Sequence, residues 1–392
     1  MELSRLATKL QSSLTLEITA KAKKLKEEGI DVISFGAGEP DFNTPKYIID
    51  EAKKAMDIGF TKYTSTSGIS PLKKEIIKKF KNDNDLEYTE KQIIVSTGAK
   101  QCLSNVFQTI INPGDEVLIS KPCWISYPEL VTLYGGSPIL VDCAEENEFK
   151  FDIDSLKKNL SDKTKAIVIT SPNNPTGSVY NYDELKTIAD FAKDNDLFII
   201  SDEIYEKLIY DGEKHISVAS ISEDAYNRTI VINGLSKTFA MTGWRLGYAA
   251  GNEKVIKVMS NIQSHTTSNA NSITQYAAVK ALAAAGNEIE AMVKEFDARR
   301  KYMVDRINNM KTISCVKPKG AFYVMINVSD LYSDKIKDSF MLSKILLDEA
   351  KIAVIPGAAF GDDRYIRLSY ATSMENIKNG LDRLENFINN MK

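Results

Sequence analysis

The chain has few cysteines, and their scarcity excludes several kinds of site. Only four occur in 392 residues, and none of them forms a CxxC pair: Cys102, Cys123, Cys143 and Cys315. A cysteine zinc site or a disulfide framework needs paired or closely spaced cysteines. The sequence therefore predicts a reducing compartment and no metal site.

The sequence also lacks a dominant charge and a long apolar run. Its 50 basic and 53 acidic residues give a formal net charge of −3, too small to attract nucleic acid or an anionic membrane. No apolar run approaches the roughly 18–20 residues that span a bilayer. Residues 1–29 contain no apolar core followed by a cleavage site. We therefore predict a cytoplasmic protein with neither nucleic-acid nor membrane partners.

Short apolar runs alternate with helical patterns in the middle of the chain. Strands this apolar are usually buried on both faces, and the alternation favours a mainly parallel sheet sandwiched by helices. We predict an α/β large domain over residues 45–285. The predicted strands lie at 91–99, 115–120, 137–143, 165–172, 197–203, 229–236 and 245–251.

The pattern of apolar and charged residues changes after about residue 285. A long charged helical pattern is followed by "GAFYVMINV", a further helical pattern and "YIRLSYA". These segments predict a smaller α+β domain formed by residues 286–392, with residues 1–44 packed against it. No internal repeat or low-complexity linker separates the two predicted domains.

Polar and small residues follow several predicted strands. "STGAK" (96–100) places small residues between a strand and a helix, where backbone N–H groups bind phosphate well, although an ordinary turn has the same pattern. "SPNNPTG" (171–177) is a turn sequence that also offers a rigidly held side-chain amide. Ligands in parallel sheets tend to lie beyond the carboxyl ends of the strands, so these turns are candidate parts of one site.

Two further strand ends carry ionisable side chains. In "SDEIYEKL" (201–208), Asp202 either caps the next helix or pairs with a buried cation, and Tyr205 lies three residues further on. In "GLSK", Lys237 follows a strand, where a desolvated amine becomes a nucleophile toward an aldehyde. Ser236 and Arg245 are suited to hold a phosphate. Together these groups meet the needs of pyridoxal phosphate: an aldehyde partner, a ring-nitrogen partner and a phosphate cup.

The chain resembles the class I aminotransferases of the aspartate aminotransferase family, bacterial-type branch, which are fold-type I pyridoxal phosphate enzymes. The resemblance runs essentially end to end, and its most specific motifs are "SPNNPTG", "SDEIY" and "SKTFAMTGWRLGY". It implies a seven-stranded, mainly parallel sheet in the large domain, a smaller α+β domain and a homodimer with shared active sites.

The resemblance also implies roles for individual residues. Lys237 would form the Schiff base with the cofactor, and Asp202 would keep the ring nitrogen protonated. Tyr205 and Asn174 would hydrogen-bond the ring oxygen, and Trp124 would stack on the ring unless it is simply a core aromatic residue. The phosphate would be surrounded by Gly98, Ala99, Lys100, Ser236 and Arg245.

The remaining implied roles concern the substrate and the second subunit. Arg367 in "YIRLSY" would bind the substrate α-carboxylate as a bidentate pair, assisted by Asn174 and the backbone of Gly38. Trp124 would also contact the substrate. Tyr63 would reach the phosphate of the other subunit. The Lys237 amine, once released, would move a proton between the substrate Cα and the cofactor, which gives ping-pong kinetics.

The sequence departs from the family pattern at a few positions. Residues 263–275 resemble a loop near the partner's active site, in which Ala270 replaces a proline and Ser264 stands where some aspartate-specific relatives have an arginine. Leu14 lies in a segment that commonly covers the site. His265 is predicted in the same loop and His215 at the surface, and neither is assigned a role.

These observations predict transamination, with L-aspartate and 2-oxoglutarate converted to oxaloacetate and L-glutamate. Aromatic amino acids or prephenate, and then alanine, are the alternative substrates because of Ser264. A C–S lyase on the same fold is a second class, since fold does not fix function. A ligand-sensing domain of a transcription regulator is a third, which the absence of a preceding DNA-binding module disfavours.

Overall fold

The computed structural model of the chain describes residues 3–4, 6–10, 14–284 and 286–391, without the side chains at positions 9 and 14–16. In chain order the elements are α1 (Leu14–Glu27), β1 (Ile33–Ser34), α2 (Lys46–Asp57), α3 (Ser70–Asn84), β2 (Ile93–Ser96), α4 (Ala99–Ile110), β3 (Glu116–Lys121), α5 (Ser126–Leu133), β4 (Ser137–Asp142), α6 (Ile153–Asn159), β5 (Thr164–Thr170), α7 (Tyr182–Asp194), β6 (Phe198–Asp202), α8 (Glu223–Arg228), β7 (Thr229–Gly234), β8 (Gly247–Ala250), α9 (Glu253–Thr266), α10 (Ser272–Ala283), α11 (Asn287–Asn308), β9 (Ser314–Cys315), β10 (Tyr323–Asn327), α12 (Ser339–Asp348), β11 (Ile352–Ala353), β12 (Ile355–Pro356), β13 (Tyr365–Ser369) and α13 (Met374–Asn390).

Seven strands form the main sheet, in the order β2-β8-β7-β6-β5-β3-β4. The pairs among β3 to β7 are parallel, and only β8 runs antiparallel to its neighbours β2 and β7. All seven strands overlap the apolar runs that the sequence predicts as strands. The prediction of a seven-stranded, mainly parallel sheet is therefore confirmed.

The central strands are apolar on both faces because helices cover both faces. In β5, Ile167 and Ile169 pack with residues of α7 such as Ile188, whereas Ala166 and Val168 pack with residues of α4 such as Val106. Successive side chains of a strand point to opposite faces, so a strand buried on both sides needs an unbroken apolar run. This explains why the runs lack polar alternation.

A smaller sheet lies in the C-terminal part of the chain. It has the order β12-β13-β10-β9 and is antiparallel throughout, and β1 pairs with β11 in a separate two-stranded parallel ladder. The core of this region includes residues of α11, α12 and α13. The predicted smaller α+β part is present, and β1 joins the N-terminal segment to it.

The carboxyl ends of β5, β6 and β7 lie side by side, because these strands are parallel neighbours. The turns that follow them carry the polar groups singled out in the sequence. No helix among the described residues has the length and apolar character that crossing a membrane requires.

Candidate active site

Lys237 lies in the turn that follows β7. Its Nζ donates a 2.6 Å hydrogen bond to the carbonyl oxygen of Gly38 and lies 5.8 Å from the centre of the Tyr205 ring. Burial of the amine lowers the pKa of Lys237 to about 8, against an ordinary value of 10.5. A larger fraction of this amine is therefore uncharged at neutral pH than for an ordinary lysine, as nucleophilic or general-base chemistry requires.

Asp202 is the last residue of β6, and its side chain is held by two donors. The hydroxyl of Tyr127 donates to Oδ2 at 2.7 Å, and the N–H of Ile204 donates to Oδ1 at 3.2 Å. Thr170 donates in turn to the Tyr127 hydroxyl at 2.8 Å. Burial raises the pKa of Asp202 to about 6, although the Tyr127 hydrogen bond opposes the shift. A cation bound next to this carboxylate would lower that pKa again.

The Asp202→Asn variant is expected to be more stable than the ligand-free wild-type protein at pH 7. The unfolded carboxyl has a pKa near 3.8, so the folded state binds a proton more tightly and stability falls as the pH rises from about 4 to 6. Raising the pKa of Asp202 from 3.8 to about 6 lowers the free energy of unfolding by up to about 3 kcal/mol above pH 6. Urea unfolding of both proteins at pH 5 and pH 7 measures this stability difference. If Asp202→Asn were less stable than the wild type at pH 7, burial would not be the cause of the raised pKa.

Arg367 on β13 is a buried cation without an acidic partner among the described residues. Its Nη1 donates to Oδ1 of Asn174 at 3.0 Å and its Nη2 to the carbonyl oxygen of Gly36 at 3.3 Å, whereas Nε is buried and unpaired. The guanidinium lies 4.2 Å from the Tyr323 ring centre and 4.8 Å from that of Phe360. Burial lowers the pKa of Arg367. A buried charge is costly unless paired, so the site is suited to an anionic ligand group.

Gly98 and Arg245 form a cradle at the N-terminus of α4. Gly98 has φ +84°, and a Cβ there would lie 2.5 Å from Nη2 of Arg245. The N-cap residue makes no side-chain hydrogen bond, and the N–H groups of Ala99 and Lys100 have no acceptor among the described residues. Arg245 is itself left-handed, with φ +56°, and donates to the Thr242 carbonyl at 2.8 Å. Free N–H groups and a guanidinium at one helix end make an anion site.

Trp124 contacts both Tyr127 and Lys100. Its ring contacts Tyr127 edge-on, with the ring centres 5.3 Å apart, and Tyr127 in turn holds Asp202. The Lys100 Nζ lies 4.9 Å from the Trp124 ring centre. Partial burial and the nearby Arg245 lower the pKa of Lys100.

Most of the predicted site residues lie in one cluster. Lys237 interacts electrostatically with Asp202, Arg245 and Arg367, and Ser236 is its buried neighbour in the chain. Tyr63 is the exception: it is 91% exposed, and no described contact joins it to the cluster. A residue predicted to serve another subunit has no reason to contact the site of its own chain.

Three residues that the sequence did not suggest also belong to the cluster. Tyr127 holds Asp202, and the Tyr323 hydroxyl is 3.0 Å from that of Tyr205. Glu39 is the carboxylate with the largest effect on Lys237. Its negative charge raises the pKa of Lys237, although the opposing effect of burial is stronger. The one sequence feature that could have indicated Tyr127 is its position three residues after Trp124, in "WISY".

The loop predicted at 263–275 is shorter than expected, because residues 263–266 and 272–275 are helical. His265 and Ser264 lie in the last turn of α9, because the helix continues to Thr266, and the Ser264 hydroxyl donates to the Asn261 carbonyl. Ala270 does lie in the following loop and is buried. The prediction on the Leu14 side chain falls outside the described residues.

His215 is not at the surface. Its side chain is 7% exposed, and Nε2 lies 3.0 Å from a carboxylate oxygen of Glu203, which is buried and follows Asp202 in the chain. The hydroxyls of Ser201 and Ser217 donate to the other oxygen of Glu203. His215 was predicted at the surface, but its ring lies against the buried Glu203 carboxylate.

Comparison with known proteins places the chain in a family. The family described as aminotransferase class I and II matches residues 30–384. An aspartate aminotransferase of Bacillus subtilis is 47% identical over 99% of both chains, and a probable aspartate/prephenate aminotransferase of Rickettsia conorii is 42% identical over 98% of this chain and 99% of that one.

A solved structure agrees with this assignment. The aspartate aminotransferase of Thermus thermophilus, solved with maleate, superposes with a TM-score of 0.94 at 38% identity, over 98% of this chain and 99% of that one. Both comparisons span nearly the whole length of the proteins. The chain therefore belongs to the class I and II aminotransferases, enzymes that transfer an amino group between an amino acid and a 2-oxo acid.

Proposed function

We propose that this protein is a pyridoxal phosphate-dependent aminotransferase that interconverts L-aspartate and 2-oxoglutarate with oxaloacetate and L-glutamate. The observation that carries the proposal is the Lys237 amine, which donates to the Gly38 carbonyl, has a pKa lowered to about 8 and lies in one cluster with Asp202 and Arg367. These three side chains supply a nucleophile, a buried acid and a carboxylate receptor.

The residues fit the cofactor by their chemistry. The cradle of Gly98 and Arg245, with Ala99 and Ser236 beside it, suits a phosphate dianion, because a Cβ at Gly98 would fill the space beside the guanidinium. The buried Asp202 carboxylate suits a protonated ring nitrogen. The cofactor supplies an aldehyde carbon, and a ring that takes up the electron pair of the substrate Cα–H bond.

The protein's own residues then divide the remaining work. Lys237 accepts the proton from the substrate Cα and returns it on the cofactor side, since its amine is partly uncharged near neutral pH. Asp202 would hold the proton on the ring nitrogen. Tyr205 and Asn174 would orient the ring oxygen, and Trp124 would pack against the ring face. Arg367 binds the α-carboxylate, with Asn174 and the backbone of Gly38 beside it.

The relatives support aspartate as the amino donor. Both the Bacillus subtilis and the Rickettsia conorii relatives carry aspartate in their names, and the second also carries prephenate. Prephenate is therefore the second candidate substrate. A coupled assay of the full chain with aspartate, prephenate, phenylalanine and alanine ranks them, and release of ammonia and pyruvate from cysteine would instead indicate a lyase.

The cation that binds the distal carboxylate of aspartate is a separate question, because Ser264 lies in a helix and carries no charge. Lys100 is a candidate: its amine lies over Trp124, and the described residues include no ion-pair partner for it. We expect Lys100→Gln to raise the KM for aspartate by about 10- to 100-fold, and to change that for alanine far less.

The control for this prediction is cofactor affinity. If Lys100 binds the phosphate instead, the variant will lose affinity for pyridoxal phosphate, and all donors will be affected alike. An unchanged ratio of kcat/KM between aspartate and alanine would contradict the role in side-chain recognition.

The quaternary and domain organisation are parts of the same proposal. A homodimer would place the exposed Tyr63 at the phosphate of the partner's site. The proposed large domain, 45–285, contains all seven strands of the main sheet, and the smaller one, 1–44 with 286–392, contains the antiparallel sheet. The cytoplasmic location stays a prediction from the sequence.

A further inference from the structure

Residues 36–44, which we call the strap, contact the candidate site at several points. The carbonyl oxygen of Gly36 accepts from Arg367 at 3.3 Å, and that of Gly38 accepts from Lys237 at 2.6 Å. The strap also reaches the turn beyond Lys237: Glu39 accepts from the Thr242 hydroxyl at 2.6 Å. The strap therefore contacts both the candidate nucleophile and the candidate carboxylate receptor through its backbone.

Further along, the strap is held by α11. Arg299 of that helix donates from Nη1 to Oδ1 of Asp41 at 2.8 Å, and from Nε to Oε1 of Glu295 at 2.9 Å. Phe42 packs edge-on against Phe296, with ring centres 5.3 Å apart, and the Arg299 guanidinium lies 5.3 Å from the Phe42 ring centre. The Arg299 side chain is 7% exposed, so its guanidinium is fixed on three sides.

We propose that Asp41 and Arg299 are positioning residues for transamination, whose ion pair holds the strap so that the carbonyls of Gly36 and Gly38 stay in place on Arg367 and Lys237. The proposal rests on the proposed function. None of the described contacts joins Asp41 or Arg299 to the cluster directly, so both act through the strap.

The energetics favour a positioning role over a stabilising one. A largely buried ion pair gains little net stability, because the cost of desolvating both charges offsets their attraction. Its geometry is nevertheless specific, and Glu295 holds the guanidinium from the same helix even when Asp41 is replaced. Displacing a positioning group by about 1 Å is enough to slow a reaction by roughly 100-fold.

The strap also affects the charge on Lys237. The charged groups that act on this amine are Glu39 of the strap, Asp202, Arg245 and Arg367, and the Tyr205 ring faces it. The Gly38 hydrogen bond and the Glu39 charge both favour the ammonium form. A loosened strap would therefore let the amine, once the substrate has released it from the cofactor, lose its proton at a lower pH, and the acid limb of the kcat profile would move to lower pH.

The experiment compares three variants of the full chain loaded with pyridoxal phosphate. Asp41→Ala removes the acceptor, and Asp41→Asn keeps an oxygen that accepts from Arg299. Arg306→Gln is the matched control, because Arg306 also lies on α11 but pairs with Asp382 and Glu385 of α13. Asp41 lies in a loop with a 29% exposed side chain, so replacing it leaves the core intact.

We expect Asp41→Ala to lower kcat/KM by at least about tenfold and to weaken binding of succinate, a dicarboxylate that cannot react, by a similar factor. The acid limb of the pH profile of Asp41→Ala should move to lower pH. Asp41→Asn should recover part of the loss in kcat/KM. Arg306→Gln should match the wild type in rate, pH profile and succinate affinity. The proposal would be overturned if Asp41→Ala lost kcat/KM but kept the wild-type pH profile and succinate affinity. It would also be overturned if Arg306→Gln lost as much kcat/KM as Asp41→Ala.

The failure of this proposal is distinguishable from the failure of the proposed function. If the wild type and Arg306→Gln transaminate and Asp41→Ala matches them in rate, profile and succinate affinity, the positioning role is refuted and the function stands. If the wild type does not transaminate, both are refuted.

Discussion

The Lys237→Ala variant is expected to transaminate at least about 10⁴-fold more slowly than the wild type, because it lacks both the nucleophilic amine and the base that moves the substrate proton. Few other side chains are placed to substitute. The Tyr205 and Tyr323 hydroxyls have pKa values raised by burial, which makes them poor bases near neutral pH. Single-turnover kinetics with aspartate measure the loss directly, since they separate chemistry from product release.

The matched control makes the same substitution at a lysine that lies away from the site. Lys254 in the first turn of α9 is exposed, and Lys254→Ala should retain full activity. Cofactor binding by Lys237→Ala should persist, because the phosphate cradle of Gly98 and Arg245 is intact. A Lys237→Ala rate within tenfold of the wild type would refute the assignment of Lys237 as nucleophile and base.

The Arg367→Gln variant is expected to bind amino acids and 2-oxo acids about 10²- to 10³-fold more weakly. Arg367 is 2% exposed, its Nε has no partner, and the Asn174 amide oxygen is one of its two hydrogen-bond acceptors. Losing one partner of a buried, hydrogen-bonded charge pair costs roughly 2–5 kcal/mol, and the corresponding factor of about 30 to 5,000 brackets this range. The KM values for aspartate and 2-oxoglutarate should rise together, since both carry an α-carboxylate.

The same variant should not lose stability, which separates binding from folding. A buried guanidinium without an acidic partner is costly in the ligand-free protein, so its replacement relieves a penalty. Arg364→Gln is the control, because the exposed Arg364 lies just before β13 and pairs with Asp362, which is outside the cluster. If Arg367→Gln raised KM no more than Arg364→Gln, the carboxylate-binding role would be wrong.

The sequence predicted the main sheet well because burial on both faces leaves a simple pattern. All seven predicted strands of the main sheet overlap observed strands. The candidate residues at strand ends were predictable for a related reason: parallel strands bring their carboxyl ends together. The family membership that the motifs suggested is also confirmed.

The sequence was less informative where contacts join distant segments. Nothing near Tyr323 or Glu39 indicates that the chain brings Tyr323 to Tyr205 or Glu39 to Lys237, because the two residues come from a strand of the small sheet and from the strap. His215 looked exposed because its neighbours are polar, yet it packs against Glu203. Residues 263–266 were predicted as loop from the family resemblance, but they form the last turn of α9, and "QSHT" contains neither a glycine nor a proline to end the helix.

The most direct test of the account is the half-reaction with one amino acid at a time. The full chain loaded with pyridoxal phosphate is mixed with L-aspartate in a stopped-flow instrument, and conversion to the pyridoxamine form is followed by absorbance, with glutamate, phenylalanine and alanine measured in parallel. The account predicts fast conversion with aspartate and glutamate and slower conversion with the others. Conversion by phenylalanine or alanine but not by aspartate would contradict the proposed substrate, and no conversion by any amino acid would contradict transamination at this site.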